Sequence, residues 1–276
     1  MAELVVTSVD GTQISSERYG AGRALVVVSG ALFASELWRR VVPLISEHRC
    51  VVVVDRRGRG KSGNGARYRP EQEIDDILAV LASLQGKVDL LGHSSGAILA
   101  LQVAERMPAN LERLIVYEPP LFFDDPDCIA SDLPERLDAL LSAGQAEAAV
   151  ETFFREGPRA SEAELLGMKG SPAWGQMVKA LAHTVPYDSR IQRAFSADPS
   201  GLDRVRIRTL MLVGAASPAR MRRAAETIAA RLPNASVTEL PGQQHVAMLT
   251  APASFADAVN EFLATDSQEL ERRSRD

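Results

Sequence analysis

The pentapeptide Gly92-His93-Ser94-Ser95-Gly96 constrains the fold of this chain more than any other stretch, because of what flanks it. Val88 to Leu91 is short, apolar and nearly continuous, as in a strand covered on both faces. Ser95 to Arg106 has a helical pattern and stops before Met107-Pro108. A strand must therefore pass into a helix around the single residue Ser94. Glycine at 92 and 96 suits so sharp a turn, since side chains there would meet neighbouring backbone. The turn lifts the Ser94 hydroxyl above the sheet, beside the N-terminus of a helix. A glycine-rich turn with a capping serine is the plainer reading of the same residues.

The same alternation runs through most of the chain. Ala24 to Ser29, Cys50 to Asp55, Leu114 to Tyr117 and Thr209 to Val213 read as further strands. Between them, Leu37 to Glu47 is amphipathic, and Glu71 to Leu84 places Ile74, Ile77, Leu78 and Leu81 on one helical face. Leu4 to Ser8 and Thr12 to Tyr19 flank Asp10-Gly11, a hairpin signal. Strand alternating with helix predicts an α/β fold with a mostly parallel sheet. Residues 121–203 break the rhythm: Pro126, Pro134, Pro158, Pro172 and Pro186 punctuate short helical patterns, with no strand-like run. That stretch predicts an all-helical cap inserted into a core made of 1–120 and 204–266. The core resumes at Ile207, with a helix over Ala219–Arg231, a strand over Ser236–Leu240 and a last helix over Ser254–Leu263. The charged end, 267–276, is expected to fray.

Composition narrows the possible partners. Lys plus Arg number 31 against 36 Asp plus Glu, a formal charge of −5, which gives no global attraction to nucleic acid or to an anionic membrane. Cys50 and Cys128 are too few for a disulfide framework or a cysteine metal site. The start lacks a basic segment followed by an apolar one, and no run reaches the roughly 18 apolar residues that span a bilayer. The expectation is a cytoplasmic protein, monomer or homodimer, with a small-molecule substrate and no cofactor. Gly58-x-Gly60-x-x-Gly63 matches a dinucleotide fingerprint in letters only, since the loop from Asn64 to Pro70 intervenes before any helix. A phosphate loop ending in Gly60-Lys61-Ser62 fails because Asp55 stands where its first glycine belongs.

With these pieces in order, the chain resembles the α/β-hydrolase family over nearly its whole length. Besides the elbow, Asp55-Arg56-Arg57-Gly58-Arg59-Gly60-Lys61-Ser62 resembles the family's loop after the fourth strand. Ser29-Gly30-Ala31 with Trp38 resembles its loop after the third, and Pro241-Gly242-Gln243-Gln244-His245 the loop carrying its histidine. The resemblance implies an eight-stranded, mostly parallel sheet flanked by helices. It implies Ser94 as nucleophile, His245 as its base, and the Ser95 and Ala31 amides as oxyanion donors. Of the other histidines, His48 ends a surface-type helix, His93 points away from the nucleophile, and His183 in the cap is the one competitor. The arginines of the Asp55 loop are expected to be held by Asp55 and neighbouring carboxylates.

The acid is out of its usual place. The family most often carries it after the seventh strand, where this chain reads Val213-Gly214-Ala215-Ala216-Ser217-Pro218, without a carboxylate. A serine there cannot supply the acid's charge, so Ser217 is expected to matter little. Some members of the family, certain haloalkane dehalogenases among them, take the acid from the end of the sixth strand; the resemblance there implies Glu118, before Pro119-Pro120, which keeps the order Ser, acid, His. The following proline biases Glu118 toward an extended backbone. The rival reading makes Glu118 an anchor for the cap and leaves a dyad or an inactive site. A serine nucleophile with a histidine base fits hydrolysis of a small ester, lactone or thioester through an acyl-enzyme. The alternatives keep the fold without hydrolysis, as a biosynthetic cyclase or lyase or a ligand-binding protein. Leu32, Phe33, Leu121, Phe122, Phe123, Trp174 and Met248 are expected to line the pocket.

Overall fold

The fold is known from a computed structural model, which describes residues 1–123, 130–196 and 199–273, those from 265 onward by their backbone alone. Cys128, Pro126 and the last three residues of the tail lie outside the described residues.

Eight strands form one sheet in the order β1-β2-β4-β3-β5-β6-β7-β8. β1 (Ala2–Thr7) and β2 (Gln13–Tyr19) make the expected antiparallel hairpin, and β2 joins β4 (Cys50–Val54) antiparallel as well. From there β3 (Ala24–Val28), β5 (Val88–His93), β6 (Leu111–Tyr117), β7 (Arg208–Gly214) and β8 (Ala235–Leu240) pair in parallel. Successive residues of a strand face opposite sides, and two cores result. Val26, Val28, Val52, Val54 and Leu90 pack on one side with α2 (Pro70–Ser83), α3 (Ser95–Glu105) and Ile228 of α9 (Ala219–Arg231). Leu25, Val27, Val51, Val53 and Leu91 pack on the other, against α1 (Val42–Ser46) and α11 (Pro252–Arg273). Each fully buried aliphatic side chain here contributes about 1.5–3 kcal/mol relative to exposure.

Two boundaries differ from the sequence reading. The single amphipathic stretch at 37–47 is broken into a 3₁₀ turn, Ser35–Trp38, and the short α1. Pro43 sits in the first turn of α1, where its missing N–H costs nothing, and so restarts the helix. The last helix begins at Pro252 and continues past Leu263 to Arg273. No glycine or proline comes after Pro252 to stop it, and the Glu, Leu and Arg residues near its end favour helix.

Between β6 and β7 the chain forms α4 (Leu133–Ser142), α5 (Ala146–Glu156), α6 (Glu162–Lys169), α7 (Trp174–Leu181) and α8 (Val185–Ser196), with no strand among the described residues. Pro134 opens α4 and Pro186 lies at the start of α8, so these prolines begin helices. The five helices enclose a third cluster, which also takes in Leu32 and Ala31 from the loop after β3.

Near the start of the central strand β5, Asp89 is fully buried and receives Arg23, Arg49 and Arg113 at 3.1, 2.9 and 2.9 Å. Arg49 and Arg113 also donate to the carbonyl of Leu263 in α11, at 2.7 and 2.8 Å. One buried carboxylate thus ties the starts of β5 and β6 to the last helix. Among the described residues no helix is long and apolar enough to cross a membrane.

Candidate active site

β5 ends at His93 and α3 begins at Ser95, leaving Ser94 between them with φ 55° and ψ −124°. An L-residue adopts that conformation only under strain, of order 1–3 kcal/mol, when its surroundings fix it. The glycines supply the room: a Cβ on Gly92 would lie 2.5 Å from the Gly96 carbonyl oxygen, and one on Gly96 would lie 2.4 Å from those of Val28 and Ser29. Ser94 is half-buried, and its N–H donates to the Tyr117 carbonyl at 2.9 Å. Among the described residues its hydroxyl makes no hydrogen bond, as in many unliganded sites, where the catalytic bond tightens only with substrate.

His245 comes after β8 on a loop held at several points. The Tyr117 hydroxyl donates to the Gln244 carbonyl and accepts from the Ala247 N–H at 3.2 Å. His93 Nε2 lies 2.8 Å from the His245 carbonyl oxygen, and the two imidazole centroids are 4.8 Å apart. A carbonyl only accepts, so Nε2 of His93 carries the proton, and among the described residues Nδ1 is a buried atom without a partner. Complete burial, with His245 nearby, pushes the His93 pKa well below that of a free imidazole. His93, expected to point away from the site, is therefore a neutral support beneath His245.

Glu118 is completely buried where β6 ends. Its Oε2 lies 2.6 Å from His245 Nδ1, while Oε1 accepts from the Gly214 N–H at 2.7 Å and from the Ser217 hydroxyl at 2.5 Å. Burial pushes its carboxyl up, but the hydrogen bond and charge of His245, with the Ser217 and Gly214 donors, outweigh it and hold the pKa below its ordinary value. One expectation needs correction. Glu118 is not extended before Pro119: its φ is +48°. Donors on both carboxylate oxygens fix that turn. Ser217, although uncharged, touches the carboxylate directly.

On the opposite side of Ser94, the loop after β3 comes close: a Cβ on Gly30 would lie 2.7 Å from that of Ser94. Ser29 is held by Trp38 Nε1, which donates to its hydroxyl at 2.8 Å. Arg56 Nη1 donates to the Ser29 carbonyl at 3.1 Å and to Ser95 Oγ at 3.0 Å. Ser95 is the first residue of α3, and Ala31 lies two residues beyond Ser29. Asp55 does not hold the arginines of its own loop; it accepts the backbone N–H groups of Ser35 and Lys61, both at 3.1 Å. Glu73, Asp76, Asp188 and Asp10 pair with Arg56, Arg57 and Arg59 instead.

The expected pocket residues scatter. Leu32, Phe122 and Trp174 belong to the core of the inserted helices, and Trp174 Nε1 donates to Glu147 at 2.9 Å. Phe33 is half-buried, edge-on to His93 at 5.4 Å, and Phe123 packs partly buried against the α3 side of the sheet. Leu121 is core on that same side, and Met248 is core on the α11 side, 1% exposed. Leu121 and Met248 thus lie in the sheet's packing layers, which an apolar residue near a site cannot reveal from sequence. His183 bonds the Gly58 carbonyl at 2.9 Å, away from Glu118. Sequence reasoning missed His93, Tyr117, Arg56, Asp188 and Ser217, and of these only the adjacency of His93 and Tyr117 to Ser94 and Glu118 was a signal. Among the described residues no cluster of three or more His, Cys, Asp or Glu is placed to hold a metal ion.

Over 112 residues the chain is 33% identical to a 2-hydroxy-6-oxo-2,4-heptadienoate hydrolase of Pseudomonas putida, covering 38% of this chain and 41% of that one. It is 32% identical over 140 residues to an N-formylmaleamate deformylase of the same species, covering 49% and 52%. The matches thus span about half or less of those curated relatives. The crystal structure of an alpha/beta hydrolase from Sphaerobacter thermophilus superposes with a TM-score of 0.87 at 36% identity, over 94% of this chain and all (100%) of that one. The family model described as "Alpha/beta hydrolase family" matches residues 25–258, and the chain belongs to that family.

Proposed function

We propose that the chain is a serine hydrolase acting on a small carboxylic ester, lactone or thioester, with Ser94 as nucleophile, His245 as base and Glu118 as acid. The observation that carries this reading is the 2.6 Å contact between the buried Glu118 carboxylate and His245 Nδ1, beside a strained strand-to-helix serine. With Nδ1 committed to Glu118, Nε2 is the ring nitrogen left to take the Ser94 proton. Ser94 Oγ attacks the carbonyl, and the proton passes to His245. The N–H groups of Ala31 and Ser95 stabilise the developing oxyanion. His245 then protonates the leaving group, and in the second half-reaction it activates water to release the acid from Ser94. Glu118 stays ionised and stabilises the imidazolium.

Helices α4–α8 serve as the cap over this site, shielding the acyl-enzyme from bulk water. The relatives' names, a dienoate hydrolase and a deformylase, fit acyl transfer to water and leave the scissile bond of this chain open to experiment. A fluorophosphonate probe should label the wild-type chain on Ser94 and leave Ser94→Ala untouched. A panel of esters, lactones and thioesters of graded acyl length then ranks substrates. No labelling, with no turnover across the panel, refutes the assignment in favour of a binding protein or a non-hydrolytic enzyme.

A further inference from the structure

The arginines after β4 form a buried ionic cluster that reaches from the inserted helices to the elbow. Asp188 on α8 is 1% exposed; its Oδ1 accepts from Ser95 Oγ at 2.7 Å and Arg56 Nη1 at 2.9 Å, and its Oδ2 accepts from Arg59 Nη2 at 2.6 Å. Arg56 turns its other edge to Glu73 in a bidentate pair at 2.7 and 2.9 Å. Two guanidinium groups thus meet two carboxylates, and one of those carboxylates comes from a different structural unit. Next to Asp188, Tyr187 stacks on Tyr68 at 3.8 Å, and the Tyr68 hydroxyl donates to Glu73 at 2.8 Å, so α8 is seated on this spot by packing as well as by charge.

Arg56 Nη1 also reaches the Ser29 carbonyl. The two backbone stretches that present the Ala31 and Ser95 amides are therefore fastened to one guanidinium, and its orientation depends on Asp188. We infer that Asp188 is a positioning residue for the oxyanion hole: through Ser95 Oγ and Arg56 it sets the two amide-bearing stretches, so that seating α8 and completing the hole are one event. This rests on the hydrolase reading above. Substrate does not touch Asp188, so its loss should weaken transition-state binding and leave ground-state binding nearly intact.

The test uses the full chain, a chromogenic ester that the wild type turns over, and an alkyl boronic acid as tetrahedral probe. Losing an oxyanion donor outright costs about 10²–10³ in kcat, and a displaced donor should cost about 10- to 100-fold. Asp188→Asn is expected to lower kcat by that amount with KM within about twofold, boronate affinity falling in step. Ser95→Ala, which keeps the amide and every charge but removes the hydroxyl link, should move the same way by about tenfold. Asp10→Asn, which strips a counter-charge from Arg57 alone, should leave kcat unchanged. If Asp188→Asn fails to fold, Ser95→Ala decides. Wild-type kcat and boronate affinity in either folded variant overturn the inference, as does a rise in KM at constant kcat. A wild type that neither turns over ester nor binds boronate sinks the functional reading, and this inference with it.

Discussion

Ser217 donates its hydroxyl to Glu118 at 2.5 Å from the loop after β7, the place where α/β hydrolases most often carry the acid itself. With Glu118 as the proposed acid, the carboxylate stands one strand over from that place, and Ser217 steadies it. A hydrogen bond to a charged group contributes about 1.5–3 kcal/mol. Ser217→Ala should therefore lower kcat by about tenfold, a modest loss that steady-state kinetics will resolve, and not leave it untouched.

Glu118→Gln keeps the size of the side chain and removes its charge. The amide can also present N–H to His245 Nδ1 and impose the wrong tautomer. The corresponding change in a buried serine triad costs on the order of 10⁴-fold in kcat, and a similar loss is expected here. Near-normal turnover by this variant would return Glu118 to the role of anchor.

Replacing Ser94 separates chemistry from strain. Ser94→Ala should lose activity on the order of 10⁴-fold or more while melting near the wild-type temperature. Ser94→Gly should be equally inactive yet more stable, by about 1 kcal/mol, because glycine adopts a positive φ without the Cβ penalty. Denaturant titration of the two variants side by side checks the difference.

His93 gives stability a pH dependence of definite sign. Its pKa is depressed in the fold, so between the ordinary imidazole pKa, about 6.5, and the lower folded value the unfolded chain binds a proton that the native chain does not. Stability should be full above about pH 6.5 and fall as pH drops, by up to about 1.4 kcal/mol per unit from this group. Glu118, also depressed, keeps its contribution above its ordinary carboxyl pKa and loses it in more acid solution. His93→Gln should flatten the slope between about pH 6.5 and 5 in urea melts, and an unchanged slope would assign it to other groups.

Strand and helix alternation, the glycine turn at Ser94 and the carboxylate missing after β7 are all local signals, and local periodicity reports which faces are covered. That is why β3, β4 and α2 were legible, while Glu118 came from the resemblance to family members that carry the acid after the sixth strand. The supports of the site were not legible, because each joins residues far apart in sequence: Arg56 with Asp188, Tyr117 with Gln244, Ser217 with Glu118. Met248 shows the converse. It lies three residues past His245, yet one helical turn directs it into the core beside α11.

The arginine clamp on Asp89 holds α11 at the Leu263 carbonyl, which both Arg49 and Arg113 reach. Asp89 lies near the start of β5 and Ser94 just past its end, about 17 Å apart along an extended strand. A load on the proximal part of α11 would therefore be taken up by the clamp, at the opposite end of β5 from the elbow.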